Sequence, residues 1–320
     1  MIPTLLLISF ISFWIIQLPP GDFLTTYIAN LEEMGDEVDP EVVDALREQY
    51  GLNDPFLVQY GKWISGIIFR GDFGFSFENN MKVSVLIKER MVLTLIVSFF
   101  SMLFTYAIAI PIGIYSATHQ YSPGDYTATF FGFIGLATPN FLFALVLMYL
   151  SFVITGNNLS GLFSAEYMDA AWSLAKFKDM MSHMLIPVIV IGTAGTCSLL
   201  RIMRSQLLDE LRKQYVTTAR AKGVGEKKLL WKYPVRAALN PIISTIGWSL
   251  TSIFSGSTIT AIVLNLPTQG PVMYNALKSQ DMYLAGGFLF ILAVLTVIGT
   301  LLSDILLAWL DPRIKLGKEA

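Results

Sequence analysis

Charge is what this 320-residue chain has least of: Asp, Glu, Lys and Arg make up 14% of it, where a soluble domain carries about 25%. The single cysteine, Cys197, excludes a disulfide framework and any Cys-based metal site. The two histidines, His119 and His183, fall near the ends of apolar stretches, and neither is expected to bind metal or relay protons. No Gly-x-x-x-x-Gly-Lys-Ser/Thr phosphate loop is present. Gly223-Val224-Gly225 lies in a lysine-rich helical context without the strand such a loop needs, so the chain does not hold ATP in that manner. The apolar interiors offer no paired carboxylates and no nucleophile beside a base, which argues against an intramembrane enzyme. An ion-coupled carrier keeps costly charges at mid-membrane. Here only Asp304 lies inside an apolar run, about two turns from its end.

What is abundant is hydrocarbon. Hydrophobic residues make up 54% of the chain, and the mean hydropathy is +0.58. No Asp, Glu, Lys or Arg occurs over Met91–Gly124, Tyr126–Ala165, Met180–Leu200, Ala237–Leu277 or Met282–Ser303. Each run holds roughly 20 residues or more, enough for a helix to cross the hydrocarbon core. A sixth apolar run, Thr4–Leu18, opens the chain. It lacks a basic n-region and a small-residue cleavage site, so it does not read as a cleavable signal. An all-α, six-span membrane protein is expected.

The basic residues orient it. Between Arg201 and Arg236 there are ten basic residues against three acids, whereas Pro19–Arg90 holds six against thirteen. The positive-inside rule therefore puts the central loop and both termini in the cytoplasm and the Pro19–Arg90 segment outside. That bias and anionic lipid headgroups account for the basic loop without a nucleic-acid partner. The sequence divides into 1–90 (first span and external segment), 91–310 (a five-helix core containing the loop 201–241) and a tail, 311–320.

Within the external segment, Asp39 and Pro40 can start a helix with Val42, Val43, Leu46 and Tyr50 on one face and Gly51 as its stop. Phe56–Phe69 reads as a second amphipathic stretch leading to Gly71-Asp72-Phe73-Gly74. A structural lid and a docking surface are both open readings. Span 2 covers about Leu93–Ala117, span 3 about Thr127–Thr155, span 4 Met184 to about Met203, and span 6 about Ala285–Leu310. Pro139-Asn140 in span 3 marks a packing kink or a constriction of a pathway. Span 5 is rich in small polar residues, among them Ser252, Ser255, Ser257 and Thr258, which suit close helix packing or a wet pathway. In the loop, Ser205–Lys222 has helical spacing with Leu207, Leu208, Leu211, Tyr215 and Val216 as one stripe. Gly223 then breaks the helix, and Glu226–Tyr233 forms a second. Such a unit could dock a partner, or rest on lipid headgroups.

The run Tyr215–Gly223, YVTTARAKG, closely resembles the cytoplasmic loop of bacterial ABC importer permeases of the dipeptide/oligopeptide/nickel class. Leu18-Pro19-Pro20-Gly21-Asp22, Tyr50-Gly51-Leu52 with Pro55, Gly71-Asp72-Phe73-Gly74 with Ser76, Pro139 with Phe141, Leu239-Asn240-Pro241 and Leu310-Asp311-Pro312-Arg313 extend the resemblance along the chain. It implies a type I importer permease fold in a bacterial or archaeal cytoplasmic membrane. It also implies a homologous second permease, two cytoplasmic ABC ATPase subunits and an extracytoplasmic solute-binding protein. ATP and Mg would belong to the ATPases, with no cofactor in this chain. Tyr215, Val216, Thr217, Thr218, Ala219, Arg220, Ala221, Lys222 and Gly223 would form the surface that an ATPase grips, with Arg220 and Lys222 as its polar contacts. The sequence departs from the pattern in three places. Thr217-Thr218-Ala219 stands where the broad motif has Glu-Ala-Ala. The chain opens Met1-Ile2-Pro3 without a basic stretch, and Ala261 and Pro267-Thr268-Gln269-Gly270 replace a glutamate and Pro-Gly-x-Gly. The substrate is left open between peptide, oligosaccharide, opine and nickel. A secondary carrier and a scaffold that recruits a cytoplasmic protein are the rival functions.

Overall fold

Charge-free runs become long helices because a backbone in hydrocarbon has no water to bond and must satisfy its polar groups internally. A computed structural model describes residues 2–18, 24–25, 54–76, 78–156, 160–168, 170–246, 249 and 258–310. The expected Asp39-capped helix, the Pro19–Asp22 and Tyr50–Leu52 motifs, the Asp311–Arg313 ending, Ser252, Ser255 and Ser257 lie outside these residues. The elements run α1 (Ile2–Ile16), α2 (Phe56–Arg70), β1 (Phe75–Ser76), β2 (Met81–Lys82), α3 (Val83–Thr118), α4 (Pro123–Ala137), α5 (Asn140–Thr155) and α6 (Leu174–His183). They continue with α7 (Leu185–Leu211), α8 (Gln214–Ala221), α9 (Glu226–Lys232), α10 (Pro234–Ala238) and α11 (Asn240–Ser244). The last three are α12 (Thr258–Val263), α13 (Gln269–Lys278) and α14 (Met282–Leu310). Among the described residues, α3, α7 and α14 are each long and apolar enough to cross a membrane, and α4 with α5 adds a fourth if that bent pair is one span. Pro111 sits inside α3 without ending it.

Two units form. One comprises Met1–Thr94 with Thr268–Leu295, the other Leu95–Pro267 with Thr296–Ala320. In the first, Phe13 of α1, Trp63 of α2, Val83 and Leu86 of α3, and Leu284 and Phe288 of α14 share one buried core. Phe13 stacks on Trp63 at 5.1 Å between centroids. The Gly71–Ser76 stretch has a definite task in this unit. Asp72 Oδ1 accepts from the Gly74 amide (3.0 Å), and Ser76 Oγ donates to buried Asp281 Oδ2 (2.7 Å). The other Asp281 oxygen accepts from the Leu284 amide at 3.2 Å. One carboxylate thus caps the N-terminus of α14, where the helix dipole favours it, and anchors the β1 turn.

In the second unit, α4 opens on an N-cap: the Ser122 hydroxyl accepts from the Asp125 amide at 3.2 Å, with Pro123 at the first position. A Cβ added to Gly135 would come within 2.5 Å of Cys197 Sγ, so glycine permits α4 to close on α7.

Two expectations need correction. The expected kink at Pro139 is a break: α4 and α5 meet at 104°. Thr138 (φ −85°, ψ 121°) and Pro139 (φ −60°, ψ 133°) are both extended, because the proline ring forces the preceding residue out of the α region. The expected single helix Ser205–Lys222 is two: α7 runs on to Leu211, and α8 begins at Gln214 after an extended Lys213 (ψ 149°). Its single apolar stripe divides accordingly, with Leu207 and Val216 in separate cores.

Candidate functional site

The segment Arg212–Lys232 builds a small hairpin with its own interior. Val216 and Ala219 of α8 and Leu229 of α9 are buried together, with Val224 and Tyr233 packed against them. The turn between the helices is a Schellman cap. The Val224 amide donates to the Ala219 carbonyl (3.2 Å) and the Gly223 amide to the Arg220 carbonyl (3.0 Å), with Gly223 in the left-handed region at φ 78°. That is the 6→1 and 5→2 pair that satisfies the last carbonyls of a helix, and the Val224–Ala219 contact is its usual apolar companion.

Polar side chains brace both ends of α8. Arg220 Nε and a terminal guanidinium nitrogen donate to the two carboxylate oxygens of Glu226 at 2.6 and 3.1 Å. The guanidinium holds the Glu226 carboxyl below its usual range, and the carboxylate raises Arg220 in turn. At the other end Glu210, in the last turn of α7, accepts from Lys213 Nζ (2.6 Å) and Tyr215 Oη (2.5 Å). Burial, and then that carboxylate, push the Tyr215 phenol up. Fork-shaped guanidinium pairing fixes geometry, but both partners of the Arg220–Glu226 pair are exposed, so it orients the hairpin more than it stabilises it.

The hairpin is fastened to α7 twice. Two residues, Arg212 and Lys213, join α7 to α8. Beyond α9 the chain folds back, and Val235, Ala238 and Ile242 pack onto Leu199, Leu200, Met203 and Leu207 of α7. Met203 and Leu207 are fully buried, and burying a side chain of that size is worth about 1.5–3 kcal/mol. A push on the exposed hairpin is therefore carried into α7 by covalent and packed routes together.

Of the nine residues expected to form a gripping surface, Tyr215, Thr217, Thr218, Arg220, Ala221, Lys222 and Gly223 are exposed. Val216 and Ala219 turn inward and serve as the hairpin's core. Arg220, expected to reach a partner, is engaged by Glu226 in this structure, while Lys222 and Thr217 project freely on the exposed side. Pro139 and Asn140 lie at the α4–α5 break. Asn140 lines a cavity of about 670 Å³ with Ile112, Phe131, Thr138, Thr193 and Cys197, so its walls are mostly apolar with a few hydroxyl and amide groups. Thr258 is the first residue of α12.

Sequence reading missed one feature outright. Arg204 of α7 forms a two-pronged pair with Asp125 of α4, Nε to Oδ1 and the terminal nitrogen to Oδ2, both at 2.8 Å. Ser116 Oγ also donates to Asp125, as does the Tyr121 amide at 2.9 Å. The Asp125 side chain is almost fully buried and that of Arg204 largely so. The available signal was the isolation of Asp125: it is the lone charge between two long charge-free runs. An acid so placed needs a partner, and the pairing ties the ends of α3 and α4 to α7 just above the hairpin.

Comparison with known proteins bears on the whole chain. Residues 109–316 match the model of the binding-protein-dependent transport system inner membrane component, and residues 1–98 match that family's N-terminal membrane component. The oligopeptide transport system permease protein AppB of Bacillus subtilis is 37% identical over 319 residues, covering 98% of this chain and 96% of that protein. The inner membrane ABC transporter permease protein YejB of Escherichia coli O157:H7 is 32% identical, over 98% and 95% of the two chains. The dipeptide transport system permease protein DppB of Escherichia coli K12 is 28% identical, over 98% and 96%. Among solved structures, the inward-facing MetNI methionine ABC transporter matches with a TM-score of 0.52 at 15% identity, over 71% of this chain and 96% of that one, which supports the type I importer permease fold. On the strength of matches that span nearly its full length, the chain belongs to the binding-protein-dependent transport system inner membrane components, as a multi-pass permease subunit of an ABC importer.

Proposed function

We propose that this permease passes peptides inward, using the α8–α9 hairpin as the surface through which cytoplasmic ATPases drive it. Membership of the family implies ATPase and solute-binding-protein partners, and its permease subunits are in general non-catalytic. In our reading two cytoplasmic ATPase subunits, holding ATP and Mg, grip the hairpins of this chain and of a homologous second permease. An extracytoplasmic binding protein delivers the solute, and both termini of this chain lie in the cytoplasm. The peptide assignment follows relatives named for oligopeptide and dipeptide transport that align along nearly the whole chain, and it takes precedence over oligosaccharides, opines and nickel.

The observation that carries the mechanism is the exposed ridge of α8, braced by Glu226 and Glu210 and fixed by its own core and the α10–α11 return to one spanning helix. A surface so held passes a displacement of the intact hairpin on to α7. The cavity at the α4–α5 break, lined by Asn140 next to Pro139, supports a place on the solute's route, and Ser252, Ser255, Ser257 and Thr258, which suit helix packing or a pathway by sequence, are proposed to border it.

The test is transport by the reconstituted assembly. Uptake of a labelled oligopeptide into proteoliposomes should require ATP, the ATPases and the binding protein together, and Gly223→Pro should lose both ATPase co-purification and uptake. Uptake without ATP, or Gly223→Pro behaving as the parent in both assays, sinks the reading. Uptake of an oligosaccharide in place of peptide would leave the coupling intact and overturn the substrate class alone.

A further inference from the structure

Helix α6 buries a lysine while exposing large apolar side chains. Its inward face carries Lys176, Met180 and His183, all buried. Lys176, only 6% exposed, is held in a cage. Its ammonium donates to the carbonyls of Met168 (3.2 Å) and Ala170 (2.6 Å), and lies 4.8 Å from the centre of the Phe163 ring and 5.5 Å from that of Trp172. Carbonyl dipoles and aromatic faces together satisfy a desolvated cation. Beside it Asp179 accepts from the Ser164 hydroxyl (2.5 Å) and amide (2.8 Å). Lys176 and Asp179 are thus drawn inward, while Lys178 is exposed.

The outward face carries large apolar side chains and one charge, the exposed Lys178, whose stem is long enough to reach the headgroups. Leu174 is 73% exposed and Phe177 44%, and Met181 and Leu185 continue the same face at helical spacing, Leu185 being 62% exposed. At the junction the Met184 amide donates to the Met180 carbonyl and the Val188 amide to the Met184 carbonyl, both at 2.9 Å, while Pro187 has no amide to donate, so α6 and α7 meet at the single residue Met184. Met184 itself is helical (φ −70°, ψ −17°). The exposed stripe therefore passes directly into the first turn of α7, a helix suited to crossing a membrane. Trp172, 58% exposed, is pinned beside it by the Lys176 cage.

We propose that α6 lies in the headgroup–acyl boundary of the bilayer, with lipid contacting Leu174, Phe177 and Trp172 and the caged Lys176 turned away from the hydrocarbon. Continuity with a spanning helix decides for lipid over other apolar partners, and an amphipathic ring such as indole is at home at that depth. In this arrangement α6 acts as a collar that sets the depth of α7 in the membrane.

Nitroxide labels at Leu174→Cys and Phe177→Cys test this in the full chain, purified with its co-expressed partner subunits and reconstituted in phosphatidylethanolamine/phosphatidylglycerol liposomes. The parent, whose Cys197 is buried, provides the labelling background. Power-saturation spectra should show oxygen relaxing both labels more strongly than a water-soluble nickel complex. Stronger relaxation by nickel at both positions would place the face in water and overturn the proposal. Low accessibility to both reagents would overturn it too, by showing that a protein subunit covers the stripe.

Discussion

Replacing Gly223 by alanine isolates the backbone contribution of the hairpin turn from any steric one. A Cβ at Gly223 would meet no atom within 4 Å, and the same holds for Gly225 two residues on. The two glycines differ in their dihedrals: Gly223 has φ 78°, whereas Gly225 has φ −59° and ψ 140°, which any residue adopts. An L-residue in the left-handed region costs about 1–2 kcal/mol. At Gly225 the loss of a good N-cap residue is offset by the reduced freedom of the unfolded chain, so alanine there should be near neutral. If the Schellman-capped hairpin is the form an ATPase grips, that cost lowers the ratio of the capped to the uncapped form by roughly fivefold to thirtyfold, which is the ceiling on the loss of binding. Titration of the purified ATPase onto the permease in nanodiscs should show weakened binding, by no more than that factor, for Gly223→Ala. Gly223→Asn, which tolerates the left-handed region better, should lie between it and the parent, and Gly225→Ala should overlay the parent. Equal binding by Gly223→Ala and the parent, or equal damage from both alanines, would refute the reasoning.

Three further outcomes follow from the contacts. Leu229→Ala removes the largest member of the three-residue core under α8 and should destabilise the hairpin by about 2 kcal/mol, seen as faster amide exchange in 214–232 with α7 unaffected; unchanged exchange would mean the hairpin is held by other means. The Glu226 carboxyl is held below its ordinary value by Arg220, so the pair's contribution is present above the unfolded carboxylate range and is lost as pH falls through the depressed value. Protection factors in α8, corrected for the intrinsic pH dependence of exchange, should therefore fall on acidification in the parent and not in Glu226→Gln, and identical profiles would count against the pair. Arg204→Leu strands the buried Asp125 and should cost about 3–5 kcal/mol in detergent unfolding, with Arg204→Leu/Asp125→Asn recovering much of it; no recovery would show that the pair is not a unit.

The spans were legible because hydrocarbon excludes charge: where the sequence carries no Asp, Glu, Lys or Arg, α3, α7 and α14 follow. Their exact ends were not. Val83 to Arg90 extends α3 through charged residues, because Val83, Leu86 and Ile87 bury a face in a core shared with Trp63 and Phe288. Gly223 was legible as a stop, since a glycine after a helical run usually marks one. The division of 205–222 was not, because Leu207, Leu211 and Tyr215 keep helical spacing across Lys213, and only the return of Val235 and Ala238 onto α7 gives Leu207 a different core from Val216. Pro139 was visible, but not the 104° turn, which depends on Thr138 also becoming extended. The Asp125–Arg204 pair joins residues 79 apart and leaves no local pattern. Ser76 and Asp281 stand 205 apart, so the purpose of the Gly71–Ser76 motif emerged only in three dimensions.

The most direct measurement is a cysteine cross-linking scan of 215–223 in the assembled transporter, in a chain whose native Cys197 is buried. Thr217, Thr218, Ala221 and Lys222 face outward, and Val216 and Ala219 face Leu229. Cross-links to the ATPase should form from the first four positions and not from the other two, with yields that change when ATP is bound. Cross-links absent from all six positions, or formed equally from Val216 and Ala219, would contradict the assignment of this hairpin as the surface that receives ATP-driven motion.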